Sequence, residues 1–306
     1  MTADAVACTT DQDVLGEGVR WDARRDELLR VDIMRGRVFR DRVADDGSLI
    51  AVRTYDVGGL VGAIAPIDGD DGWLLARDRG IAHLGPDGTL RPVIEVAPTG
   101  VRMNDAAADP QGRFWAGTMA ERPGGASLYR LDRDGRVETM LDGLTISNGL
   151  GWSPDGRTMY HADSGHRVVR AFDFDGERGA ISTPRVLLEM PDDGRAPDGL
   201  TVAADGDLWI AIWGAGQVHR YAPDSTLRGV LHLPTPESTC CAFGGPGLTR
   251  LYVTTATEHW SDERRRAAPE AGLVYRFDTS ATGRPADPFR PDPEWWTEVT
   301  GTDLGR

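Results

Sequence analysis

The chain has 306 residues, 40% of them hydrophobic, enough for a sizeable core. Asp and Glu number 48 against 34 basic residues, all of them Arg, for a formal net charge of −14. That balance argues against nucleic acid and anionic membranes as partners, and no apolar run reaches the length of a membrane span.

Cys8, Cys240 and Cys241 make no disulfide framework, because the latter two are adjacent and adjacent cysteines rarely bridge without strain. They read as reduced, half-buried thiols. The opening "MTADAVACTTDQDV" has no basic stretch followed by an apolar one. The expectation is a soluble, cytoplasmic protein.

Taken in chain order, the elements repeat. "GEGVRWD", "DELLRVDI", "GRVFRDRV" and "LIAVRTYDV" come first. "LVGAIAPIDG", "DGWLLARD", "GIAHLGPDG" and "RPVIEVA" follow, then "VRMNDAAADPQG", "GRFWAGTM" and "ASLYRLDRDG". The fourth unit opens "ISNGLGWSPDG", "GRTMYHADS", "HRVVRAFDFDG" and closes near "RVLLEM". The fifth has "APDGLTVAADG", "GDLWIAIW" and "GQVHRYAPDS"; the sixth has "STCCAFGGPG", "TRLYVTTA" and "GLVYRFDTS". Apolar and polar residues alternate within these runs as in half-buried antiparallel strands, and D-G pairs close many of them as tight turns. The period of about 40–50 residues is that of propeller blades. "SDERRRAAPEA" reads as a loop, and "DRDGRV" and "DFDGERG" read as turns rather than calcium loops. The expected fold is all-β: a six-bladed β-propeller with four antiparallel strands per blade, residues 1–306 forming one domain. The residues before Leu15 are expected to supply the last strand and remove an open edge.

The first strand of each propeller blade lines the central channel, so equivalent residues converge on the axis. Four repeats carry a hard oxygen donor there: Glu17, Asn104, Asn148 and Asp198. The second and sixth offer only small or apolar residues. Two carboxylates brought together repel, and a divalent cation removes the repulsion. Oxygen ligation suits Ca²⁺, Mg²⁺ or Mn²⁺; Zn²⁺ more often takes His or Cys. The six histidines show no ligand spacing; His259 lies in the long "TATEHWSDERRR" loop, and nothing in the sequence demands that it reach a channel mouth. There is no G-x-S-x-G elbow, no H-E-x-x-H and no Gly-rich phosphate cradle.

"LGEGVRWD", "RMNDAAADPQGRFWAGTM", "SNGLGWSPDGRTMYHADS", "PDGLTVAADGDLWIA" and "CCAFGGPGLTRLYVTTA" together resemble the senescence marker protein (regucalcin) and gluconolactonase family, in order and over nearly the whole chain. The resemblance implies one divalent cation (Ca, Mn, Mg or Zn) and hydrolysis of a sugar lactone, an aldonolactone, to the aldonic acid. It implies Glu17, Asn148 and Asp198 as metal ligands, with Asp198 also the catalytic proton acceptor. It implies that Arg102, Asn104 and Glu121 contact the substrate. Val19, Ala106 and Gly151 stand where the family often has Pro, Gly and Asp; a Gly at 151 is expected to loosen the support of Asn148. Two alternatives remain: a hydrolase of other esters, lactones or phosphotriesters on the same scaffold, and a non-catalytic calcium-binding propeller.

Overall fold

The structure is a computed structural model that describes residues 4–304; residues 1–3, the start of the opening stretch read above, and 305–306 lie outside the described residues. Six four-stranded antiparallel sheets are arranged as the blades of a propeller. The first runs through Gly16–Asp22, Glu27–Asp32, Arg37–Val43 and Leu49–Asp56, and the next four follow the same in-to-out order. The sixth takes Ser238–Gly244, Arg250–Thr255 and Tyr275–Asp278 from the end of the chain and Val6–Ala7 from its start. Val6 pairs with Arg276 and Ala7 with Tyr275, so the sixth sheet gets its fourth strand from the opposite end of the sequence.

The sequence pattern explains the burial. Inner strands such as Ser147–Trp152 are buried throughout, whereas the outermost, such as Leu49–Asp56, are largely exposed. The core lies between blades. Trp115, Trp152 and Phe174 meet edge-on at 6.0–6.1 Å between the third and fourth. Buried Trp side chains keep their N–H satisfied where an acid at a strand end accepts it: Trp73 donates to Asp22 and Trp115 to Asp109, each at 3.1 Å. Acids at the ends of second strands also hold the segment entering each inner strand. Asp32 accepts from the N–H groups of Val14 and Leu15, Asp78 from Leu60 and Asp163 from Ile146.

Two sequence expectations need correction, and one further element was not anticipated. "SDERRRAAPEA" contains a helix, Asp262–Ala267, whose Ser261 cap accepts from the Arg264 N–H. It buries no residue, so no apolar period announced it. The C-terminal segment also holds a helix, Pro293–Thr300, which starts with Pro and ends at Gly301 with φ 70°. The thiols are fully buried rather than half-buried, at 7% exposure or less. Burial pushes Cys8 up to about 12 and raises Cys240 and Cys241 as well.

The segment after the last strand is a strap across one end of the channel. It makes backbone contacts with the fifth blade through Thr282, the sixth through Gly283, the first through Ala286, the second through Phe289 and the third through Arg290. Arg284 donates to the Trp152 carbonyl of the fourth. It ends with Trp296 fully buried, donating to Asp70 at 2.8 Å.

Candidate functional site

Every inner strand breaks register at the same level. The shift falls between Glu17 and Arg20, Val61 and Ala63, Met103 and Ala106, Asn148 and Leu150, Pro197 and Leu200, and Ser238 and Cys241. Such bulges bend a strand and re-aim its side chains. Here they surround a cavity of about 290 Å³ that Glu17, Arg102, Asn104, Asn148 and Asp198 all line. The glycine that follows three of these residues has a steric cause. A Cβ on Gly149 would sit 2.5 Å from the Asp198 carbonyl oxygen, and one on Gly199 would sit 2.6 Å from the Cys240 sulfur. Gly18 has φ 59° and faces the Ala63 backbone. Inner strands of neighbouring blades touch backbone to backbone just beside the polar ring.

The ring divides by hydrogen bonding. The Asn104 carbonyl oxygen accepts from Arg102 at 2.8 Å and its amide donates to the Ser147 carbonyl at 3.0 Å. Asn104 therefore aims Arg102 and has its amide committed. Asn148 differs. Its amide nitrogen donates to Asp198 and to the Ser164 hydroxyl, the latter at 3.1 Å. Its carbonyl oxygen is buried with no partner among the described residues. Glu17 accepts from the Gly18 N–H at 2.8 Å, and neither Glu17 nor Asp198 is in a salt bridge among those residues. Burial raises the pKa of both acids. Asp105 raises both further, and Glu17 raises Asp198.

Two buried, unneutralised carboxylates beside an orphaned amide oxygen fit a hard divalent cation, whose charge would cancel theirs and whose coordination would satisfy the oxygen. Among the described residues no three His, Cys, Asp or Glu side chains cluster as ligands; the set here is two acids and an amide. Further along the inner strands Arg20 pairs with Asp105 at 2.8 Å and lines a separate cavity of about 80 Å³, which strap residues 284–287 close.

Arg102 has no salt bridge among the described residues; it donates to the Met103 carbonyl, to Asn104 and to the Met119 sulfur. Burial lowers its pKa, while Glu258, Glu17 and Asp198 hold it up. Glu121 is not brought to this cavity: it is exposed, in the turn between Phe114–Ala120 and Ala126–Leu131. Gly151 faces the smaller cavity, and the side chain that steadies Asn148 is Ser164, itself donating to the Pro197 carbonyl at 2.7 Å. Sequence reasoning did not single out Ser164, Trp213 or Glu258. Ser164 follows the strand-ending Asp163 and was visible only as part of "HADS". His259 does reach the mouth.

Residues 15–257 match the family described as SMP-30/Gluconolactonase/LRE-like region. The chain belongs to that family. Within the SMP-30/gluconolactonase relatives, a pentonolactonase of Haloferax volcanii is 37% identical over 91% of this chain and 94% of its own. A 6-deoxy-6-sulfogluconolactonase of Pseudomonas putida is 34% identical, covering 92% and 97%. The crystal structure of a calcium-binding regucalcin of Agrobacterium tumefaciens superposes with a TM-score of 0.87 at 27% identity, over 95% of this chain and 98% of that one.

Proposed function

We propose that the protein is a divalent-metal-dependent sugar lactonase that converts an aldonolactone to the aldonic acid. The observation that carries the proposal is the buried, unpartnered Asn148 oxygen in a pocket that Glu17 and Asp198 line without a salt bridge among the described residues, beside an Arg102 guanidinium that likewise has none. The lactonase names of two relatives over most of their length support the substrate class, and the calcium-binding regucalcin supports a cation.

Glu17, Asn148 and Asp198 are the residues that would hold the cation. Once bound, it supplies Lewis-acid polarisation of a carbonyl and stabilisation of an oxyanion. Asp198 accepts the proton of the attacking water and returns it to the departing ring oxygen. Arg102, held by Asn104, grips an oxygen of the substrate. Ile33, Met119, Ile146 and Trp213 give the pocket an apolar side for the carbon face of the ring.

The experiment is steady-state hydrolysis of an aldonolactone panel with Ca²⁺, Mn²⁺, Mg²⁺ or Zn²⁺, run beside simple esters and a phosphotriester. Glu17→Gln is expected to weaken cation affinity by at least about tenfold in calorimetry, since it removes one of two compensating charges. Asp198→Asn keeps the shape and one oxygen and is expected to lower kcat by at least roughly 10²-fold at saturating cation. Arg102→Ala is expected to act largely through KM. Near wild-type turnover in folded, cation-loaded Asp198→Asn would remove Asp198 as proton acceptor. Faster turnover of phosphotriesters than of lactones would replace the substrate class.

A further inference from the structure

The blades differ at the end where the pocket opens. Between second and third strands the first five use two to five residues, but the sixth runs from Thr255 to Tyr275 through residues 256–274. A long connection inside an otherwise short-looped scaffold is where specificity tends to be built. This one starts with a tight turn, Thr257 to Trp260, closed by the Trp260 N–H donating to the Thr257 carbonyl at 3.1 Å. Its two ends are pinned. Thr257 donates through its N–H to Val14 and through its hydroxyl to Asp13. Trp260 donates through its indole to Glu237 at 3.0 Å, and Arg264 covers its ring at 3.6 Å.

The third position of the turn is His259, with φ 64°. That region favours glycine, and a non-glycine residue kept there needs a reason beyond the turn. Glu258 and His259 are the two residues of the turn that line the pocket. The Glu258 side chain is 19% exposed, and its carboxylate lies 3.7 Å from the His259 ring nitrogen, so most of its capacity to accept hydrogen bonds is unspent. Glu258, with Glu17 and Asp198, favours the charged form of Arg102, against the burial that disfavours it.

We propose that Glu258, fixed by this turn in the pocket that Arg102 also lines, reads the hydroxyl groups of a polyhydroxy lactone, with His259 as the outer wall of the pocket. The inference rests on the lactonase reading and names the carboxylate of its specificity edge. A hydroxyl both donates and accepts, so a guanidinium without a carboxylate partner and an unspent carboxylate lining one pocket suit a vicinal diol. With a divalent cation balancing Glu17 and Asp198, Arg102 and Glu258 also balance, which leaves the pocket suited to a neutral substrate. The acid formed by hydrolysis meets Glu258 as a like charge, which favours its release.

The test compares the γ-lactone of xylonic acid with γ-butyrolactone, which has the ring but none of the hydroxyls. Glu258→Ala is expected to raise KM for the xylonic lactone by about tenfold to a hundredfold, the range for a hydrogen bond to a charged group. The change for γ-butyrolactone is expected to stay within about threefold, and Glu258→Gln is expected to fall between wild type and Glu258→Ala. Cation affinity serves as the folding and loading control. An equal effect on both lactones, or a larger loss of hydroxyl discrimination from Glu121→Ala, would overturn the assignment. If wild-type protein hydrolyses no lactone, the lactonase reading fails separately. Calorimetry with the lactam of gluconic acid then decides about Glu258: weaker binding in Glu258→Ala supports it, whereas unchanged or absent binding overturns it.

Discussion

His161 illustrates how a single residue behaves inside this core. It is fully buried, its ring nitrogen 2.8 Å from the Ser147 hydroxyl, and burial pulls its pKa from 6.5 to about 4. Between those values the unfolded chain takes up a proton that the folded chain refuses, so stability falls as the pH falls. The contribution is on the order of 3 kcal/mol across that window, at about 1.4 kcal/mol per pH unit. His219, also held at about 4 mainly by burial, acts in the same direction. His161→Gln is therefore expected to flatten the decline of urea-unfolding stability between about pH 6.5 and 4 relative to wild type. A decline of unchanged slope would show that the neutral ring is not a source of the acid sensitivity. The same environment that keeps this ring neutral disfavours charge on Glu17 and Asp198, and the unpartnered Asn148 amide oxygen stands in the pocket they line.

At the scale of the element, the inner strand with its bulge is the working unit. The bulge turns the oxygen-bearing side chain into the channel, and the glycine after it lets the next blade approach. Gly149→Ala tests both together. The new Cβ would lie 2.5 Å from the Asp198 carbonyl oxygen and 2.9 Å from the Leu200 side chain. Backbone cannot swing aside as a flexible side chain can, so the fifth inner strand must shift. The expected cost is about 1–3 kcal/mol, typical of overpacking. Because Asn148 and Asp198 belong to the two strands forced apart, cation affinity is expected to fall by more than about tenfold while far-ultraviolet circular dichroism stays native. Unchanged affinity in calorimetry would mean that the close approach of the two strands does not set the donor geometry.

For the whole molecule the question is what keeps six similar blades in a ring. Two devices come from opposite ends of the chain. Val6–Ala7 completes the sixth sheet, and the strap touches all six blades before anchoring Trp296 beneath the second. Trp296 packs among Phe289, Trp295 and His83 with ring centroids 5.3–5.8 Å away. Trp296→Ala removes that anchor and leaves Asp70 without its indole donor. The expected loss is about 3–5 kcal/mol, lowering Tm by roughly 5–8 °C. Calorimetric unfolding with and without cation is the measurement. A change of less than about 2 °C would show that the strap covers the channel without clasping the ring.

The sequence by itself determined the repeating plan, the in-to-out strand order and the polar residues that share a level, because alternation and D-G turns are local signals that six repeats reinforce. Equivalent places in the repeats put Glu17, Asn104, Asn148 and Asp198 at one level, and only the family resemblance set Asn104 apart from the other three. Sequence reading missed the helix at Asp262–Ala267, which has no apolar face, and the strap, whose Phe289 and Trp296 acquire meaning only against blades far away in sequence. Only tertiary structure decided that the Asn104 oxygen is occupied by Arg102 while the Asn148 oxygen is free, since those partners are set by bulges and by neighbouring blades. Tertiary structure likewise set Glu258 against the pocket and left Glu121 at the surface. Where a side chain on a loop points depends on how that loop is pinned, and the pins here, Val14, Asp13 and Glu237, lie outside the loop they hold.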